Sequence, residues 1–250
     1  MSRYDFAAQR LFIEAPLAAG ARVDPSPEAL NYLLNVLRMR EGDAILAFNG
    51  RDGEWRARLV EVRKRTAVLV AEAQTRLQEP TPDIDYCFAP LKQARLDYMA
   101  QKATEVGAGR LVPVLTRRTQ LRRVNAARLR ANAIEAAEQC GVLAAPEVCE
   151  ATELAEFLRG FPPERLLVFC DEDAEIADPV AALRAAPAHE GVSVLVGPEG
   201  GFEPAERAAI LRLRKIARLS LGPRILRADT AAVAALALVQ AALGDWQGAR

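Results

Sequence analysis

The chain has 250 residues, with 33 basic and 33 acidic side chains, so its formal net charge is zero, and 51% of it is hydrophobic. That composition fits an ordinary globular protein with enough chain for two cores, and excludes a disordered or collagen-like polymer. The longest apolar run, "AAVAALALV" (Ala231 to Val239), is far shorter than the roughly 20 residues that cross a bilayer.

The opening stretch "MSRYDFAAQRLFIEAP" threads charges through its apolar residues, unlike the core of a signal peptide, so a cytoplasmic protein with no membrane partner is expected. Next, "DPSPEALNYLLNVLRM" predicts a short helix with Ser26 as its N-cap and Pro27 in its first turn. Three short β-type runs follow, "GDAILAFNG", "GEWRARLVEVRK" and "TAVLVAEAQ", separated by turn residues such as "NGRDG". They predict a small barrel over residues 1–77. "QEPTPD" (Gln78 to Asp83) breaks the pattern as a linker.

From there to residue 250 strands and helices alternate. "IDYCFAP" precedes the helical "ARLDYMAQKATEVG", and "RLVPVLT" precedes "AARLRANAIEAAEQCG". "RLLVFCDE" leads to "DPVAALRAA", "VSVLVGPEGG" to "EPAERAAILRLRK", and "IARLSLGPRILR" to "DTAAVAALALVQAAL". The rhythm predicts an α/β domain around a mostly parallel sheet. The last helix is apolar on nearly every side, so it is buried within the domain or between subunits.

Cys87, Cys140, Cys149 and Cys170 are scattered and His189 is the single histidine, which argues against a metal site and against histidine-assisted nucleophiles. Charge is uneven despite its zero sum. Lys92 to Arg130 holds ten basic and two acidic residues, Glu147 to Asp178 ten acidic and two basic, and Arg207 to Arg227 seven basic and none acidic. These clusters read equally as a nucleic-acid face or as solvated helix surfaces.

Two apolar runs end in Gly-Pro: "VLVGPEGGF" (Val194 to Phe202) and "LSLGPRILR" (Leu219 to Arg227). In an open parallel sheet ligands bind beyond the carboxyl ends of strands. Two similar loops on what reads as a pair of neighbouring strands therefore predict one shared ligand. No G-x-G-x-x-G follows a strand and no G-x-x-x-x-G-K-[ST] occurs, so the ligand is held by loop backbone and apolar surface, not by a phosphate loop.

At these residues the chain resembles a known family. "VLRMREGD", "KATEVGAGRLVPVLTRR", "EAAEQCG", "VGPEGGF" and "LGPRILRADTA" occur in the order and spacing of the RsmE family, 16S ribosomal RNA (uracil-N3) methyltransferases of the SPOUT superfamily. The resemblance covers nearly the whole chain. It implies a PUA-like β-barrel for RNA at residues 1–77 and a trefoil-knotted α/β methyltransferase domain at 78–250, working as a homodimer on 16S rRNA or the assembled small ribosomal subunit. S-adenosyl-L-methionine is the implied cofactor, and no metal is called for. Its pocket would be walled by Val196, Gly197 and Gly201 from one loop, Leu221, Gly222 and Leu226 from the other, and Glu172 from a third.

The resemblance further implies RNA contacts at Arg38, Arg40, Arg117, Arg118 and Arg224. Lys92 and Lys102 also match family positions, with a Lys102–Glu105 ion pair the equal alternative. Arg227 would stabilise charge on the uracil oxygens and Glu199 would act as base or orient the substrate, unless Glu199 only sits favourably at a helix start. Three positions depart from the pattern: Tyr32 where His is frequent, Val142 where Arg is usual, and Asp229 in place of Glu. Asp229 is read as a helix cap, with a catalytic carboxylate of shorter reach as the alternative. A related enzyme acting on another rRNA or tRNA nucleotide, and a non-catalytic RNA-binding scaffold, are the alternatives.

Overall fold

A computed structural model describes residues 8–175 and 178–247; the first seven residues, part of the opening stretch "MSRYDFAAQRLFIEAP", lie outside them. The chain divides into two compact units, one running through Pro80 and including Ala137–Ala145, the other Thr81–Ala136 with Pro146 onward.

In the first unit β1 (Arg10–Phe12) and β2 (Arg22–Val23) precede α1 (Pro27–Asn31), which passes into a π-helical turn at Tyr32–Val36. The Ser26 hydroxyl accepts from the Ala29 N–H at 3.2 Å, as its N-cap position requires. β3 (Ala44–Phe48), β4 (Glu54–Val60) and β5 (Val68–Arg76) follow. The sheet runs β1-β3-β4-β5-β2. Its two ends are not paired among the described residues, so the predicted barrel is a five-stranded sheet in its hydrogen bonding. Inward residues of β3, β4 and β5, such as Ile45, Ala57, Leu59 and Leu69, bury against Leu33 of the π-helical turn. Val142, where a basic residue was expected, is half-buried against Phe48 and Leu143, so an arginine there would have to leave an apolar cluster.

The second unit begins with β6 (Ile84–Phe88), α2 (Gln93–Glu105), β7 (Arg110–Leu115) and α3 (Ala126–Cys140), whose last turn belongs to the first unit. Two-residue strands β8 (Glu147–Val148) and β9 (Thr152–Glu153) and the short α4 (Leu154–Arg159) come next, all three absent from the sequence reading. Then follow β10 (Leu166–Cys170), α5 (Pro179–Arg184), β11 (Val192–Val196), α6 (Pro204–Ile210), β12 (Ile216–Leu219) and α7 (Ala228–Leu243).

The sheet order is β12-β10-β11-β6-β7-β8, with β9 also on β7, and every pairing is parallel. Alternation along β10 shows why helices cover both faces. Leu166 and Val168 pack toward α2, α5 and α7, while Leu167 and Phe169 pack toward α4 and α6. α7 buries one side through Ala232, Ala235, Leu236 and Val239, and leaves Val233, Ala234 and Ala237 half-buried. Among the described residues no helix is long and apolar enough to cross a membrane.

Candidate active site

The two Gly-Pro loops do not leave adjacent strands, as the sequence suggested: β10 lies between β11 and β12. Register puts Cys170 beside Leu219, and Phe169 beside Leu195, so three parallel strands end at nearly one level. Their loops enclose a cavity of about 330 Å³. Asp171 and Glu172 come from the loop after β10, between the other two loops. Val196, Gly197, Glu199 and Gly201 line one side, and Leu221, Gly222, Arg224 and Leu226 the other. Arg227 is not among the lining residues; it is exposed at the N-cap position of α7.

The glycines serve two different needs. Gly222 has φ +94° and a Cβ there would meet nothing within 4 Å, so the backbone conformation alone demands glycine. A Cβ on Gly197, by contrast, would lie 2.5 Å from the Phe202 ring, so there the demand is spatial. Pro198 and Gly201 close a turn, with the Gly201 N–H donating to the Pro198 carbonyl at 2.9 Å. The loop after β12 is open in its hydrogen bonding. Among the described bonds none is donated by the backbone N–H of Leu221, Gly222, Ile225 or Leu226. Such groups need a partner wherever water is excluded.

The charged residues of the two Gly-Pro loops are held differently. Helix α6 starts at Pro204, so Glu199 sits on the loop itself and not at a helix start. It forms an ion pair with Arg95 of α2. Asp229 is not the cap of α7: it lies in the first turn, 3.9 Å from Arg95, because Arg227 takes the N-cap position. Arg118 donates to the Gly200 carbonyl at 2.5 Å, and the Arg117 N–H to Glu206 at 2.8 Å. Both arginines are exposed, and in unit 2 their observed bonds support the loop and α6. Lys102 pairs with Glu105 at 2.7 Å. In the first unit Arg38 and Arg40 are exposed, Arg38 with φ 55°. The Tyr32 hydroxyl meets Gln9 at 3.4 Å.

Part of the basic stretch is spent on the acidic one. Arg207 and Arg218 both donate to the buried Asp171 carboxylate, at 3.0 and 2.7 Å, and Lys215 pairs with Glu164. The even choice between RNA face and solvated helix thus omitted a third outcome, internal pairing. Charge runs far apart in sequence gave no signal of who would meet whom. Burial works to raise the Asp171 pKa, but the bonds from Arg207, Arg218 and the Asp173 N–H outweigh it, and the net shift is downward. A lowered folded-state pKa gives stability that is complete above the ordinary carboxylate value of about 3.9 and lost as pH falls through the lowered one. The unfolding temperature of an Asp171→Asn variant should therefore fall less between pH 7 and about pH 3 than that of the unaltered protein. Equal falls in a paired thermal titration would refute this. Desolvation pushes the Cys170 thiol, on the same wall, up to about 12, so it stays protonated and is no nucleophile. No group of three His, Cys, Asp or Glu residues among those described could hold a metal ion.

Comparison with known proteins gives this geometry a family. The profile described as RNA methyltransferase domain matches residues 78–240, and that described as RNA methyltransferase PUA domain matches 26–72. Ribosomal RNA small subunit methyltransferase E of Rickettsia conorii is 29% identical over 92% of this chain and 94% of its own length. Its namesake from Synechocystis is 30% identical over 94% of this chain and 78% of its own length. Among solved structures, a Neisseria gonorrhoeae ribosomal RNA small subunit methyltransferase E bound to S-adenosyl methionine aligns with a TM-score of 0.81, at 28% identity, over 94% of this chain and 97% of that one. A Legionella pneumophila methyltransferase with the cofactor SAM aligns equally well, at 29% identity over 94% and 98%. With profiles matching both parts of the chain and relatives aligned along most of their length, the chain belongs to the ribosomal RNA small subunit methyltransferase E family.

Proposed function

We propose that this protein transfers the methyl group of S-adenosyl-L-methionine to N3 of a specific uridine in the 16S RNA of the small ribosomal subunit, in the cytoplasm and as a homodimer. The observation that carries the reading is the cavity at the ends of β10, β11 and β12, walled by two Gly-Pro loops. Its residues fit the cofactor: backbone N–H groups without internal partners border it at Leu221, Gly222 and Leu226, beside the apolar walls of Val196 and Leu221. Such a site holds a nucleoside by main chain and shape, not by a phosphate loop. The half-buried Val233 and Ala234 of α7 support the homodimer.

When bound, the cofactor supplies an already activated methyl group. The chain's own tasks are to expose the uracil, aim N3 at the methyl carbon and accommodate the charge left as the N3 proton departs. Glu199, on the cavity wall, accepts the N3–H and orients the ring. Arg227, exposed at the start of α7 and next in the chain to Leu226 of the opposite wall, stabilises the developing negative charge on the uracil oxygens. Arg38, Arg40 and Arg224, all exposed, contact the RNA backbone. The test is to map N3-methyluridine in small-subunit RNA from cells with and without the gene. One N3-methyluridine should vanish without the gene, and return when it is restored; an unchanged modification pattern would sink the reading.

A further inference from the structure

Arg95 had no place in the sequence argument, yet it is where three elements of the second unit meet. It projects from α2 next to the buried Leu96, which packs that turn of the helix against the core. Its guanidinium pairs with Glu199 of the β11–α6 loop and lies 3.9 Å from Asp229 in the first turn of α7. Glu199 borders the cavity between the strand ends, whereas Arg95 and Asp229 border a second, more open one of about 490 Å³ with Tyr98 and Val233. The cluster thus stands between two hollows, with one carboxylate on each.

We propose that Arg95 is a positioning residue for methyl transfer, acting through Glu199, a role that rests on the function proposed above. A carboxylate on an exposed loop has several rotamers, and only some present an oxygen to a base entering the cavity. Pairing with a guanidinium carried by the packed helix α2 selects among them. Asp229, 3.9 Å away, gives the guanidinium a second acidic neighbour, so the cation keeps its place while it orients Glu199. The loop backbone does not depend on this pair, because Arg118 separately binds the Gly200 carbonyl and Gly201 bonds back to Pro198. Arg95 and Glu199 side chains are 35% and 46% exposed, so the pair contributes little to folding stability. Its effect belongs to the geometry of the reacting groups.

A double-mutant cycle tests this, using tritiated S-adenosyl-L-methionine and small subunits from cells lacking the gene. Arg95→Ala should lower kcat about 10- to 100-fold while leaving the unfolding temperature within about 2 °C and the calorimetric Kd for the cofactor within about twofold. In a Glu199→Gln background the same substitution should cost less than about twofold more, since the group it positions is already gone. Arg95→Lys should recover part of the rate. Multiplicative losses in the double variant, or an Arg95→Ala enzyme as fast as the unaltered one, would overturn the assignment. Failure of the functional reading looks different: there the unaltered protein itself would neither bind the cofactor nor methylate, and the proposal would fall with it.

Discussion

Gly197→Ala is expected to lower methyl transfer by about 100-fold or more, and to weaken S-adenosyl-L-methionine binding with it. The methyl group would sit 2.5 Å from one Phe202 ring carbon and 3.0 and 3.1 Å from two others. That ring cannot swing aside cheaply. It packs edge-on against Phe169, with centroids 5.2 Å apart, and Phe169 is itself 1% exposed in the core below the strand ends. The strain is therefore taken up by the loop that walls the cavity, and a displacement near 1 Å is enough for the loss of activity stated. Overpacking of this kind also costs about 1–3 kcal/mol of stability. Adding Phe202→Leu, a smaller and more flexible neighbour, should restore part of the binding. Calorimetry on the single and double variants checks both statements, and a Gly197→Ala protein with unaltered cofactor affinity would show that this loop is no wall of the site.

The largest stability effect is expected at the opposite ends of the strands. Asp85, 4% exposed, accepts two bonds of 2.7 Å from Arg110 and one of 3.0 Å from Ser193, and lies 2.9 Å from Arg165. These residues sit near the amino ends of β6, β7, β10 and β11. Asp85→Ala would leave the Arg165 guanidinium, 8% exposed, with Ser193 and the mostly exposed Asp83 as its side-chain partners. Breaking a buried pair in this way costs about 3–5 kcal/mol, because the buried charge is left with a solvent-screened carboxylate as its counter-charge. Replacing both partners by apolar residues, as in an Asp85→Leu/Arg165→Met variant, should cost much less than the single change. Denaturant titration of the three proteins distinguishes the cases; a double variant as unstable as Asp85→Ala would mean that packing, not the uncompensated charge, sets the loss.

Much of the fold was legible in advance where the signal was local. The alternation from "IDYCFAP" onward marked the strands and the long helices because buried parallel strands are short apolar runs and their helices carry a period of 3.6. The helix α4 escaped because six residues, "LAEFLR", are too few to show that period. Asp229 was misread as a cap because a short acid before an apolar helix is the usual cap signature, and nothing in the sequence says that the helix begins two residues earlier than such a cap implies. Arg118 was legible as a basic residue after a strand, but not as the donor to the Gly200 carbonyl.

By itself, then, the sequence determined what depends on neighbours along the chain: the strands, the Gly-Pro turns that end two of them, the Ser26 cap. Tertiary structure decided what depends on neighbours in space. It placed β10 between the two Gly-Pro strands, so that Asp171 and Glu172 stand between the two walls. It also chose the partners of the charges, turning Arg207 and Arg218 inward to Asp171 and setting Arg95 between Glu199 and Asp229. The physical reason is range. Backbone conformation answers to the few residues on either side, whereas an ion pair forms wherever folding brings two charges within a few ångströms, at any separation along the chain.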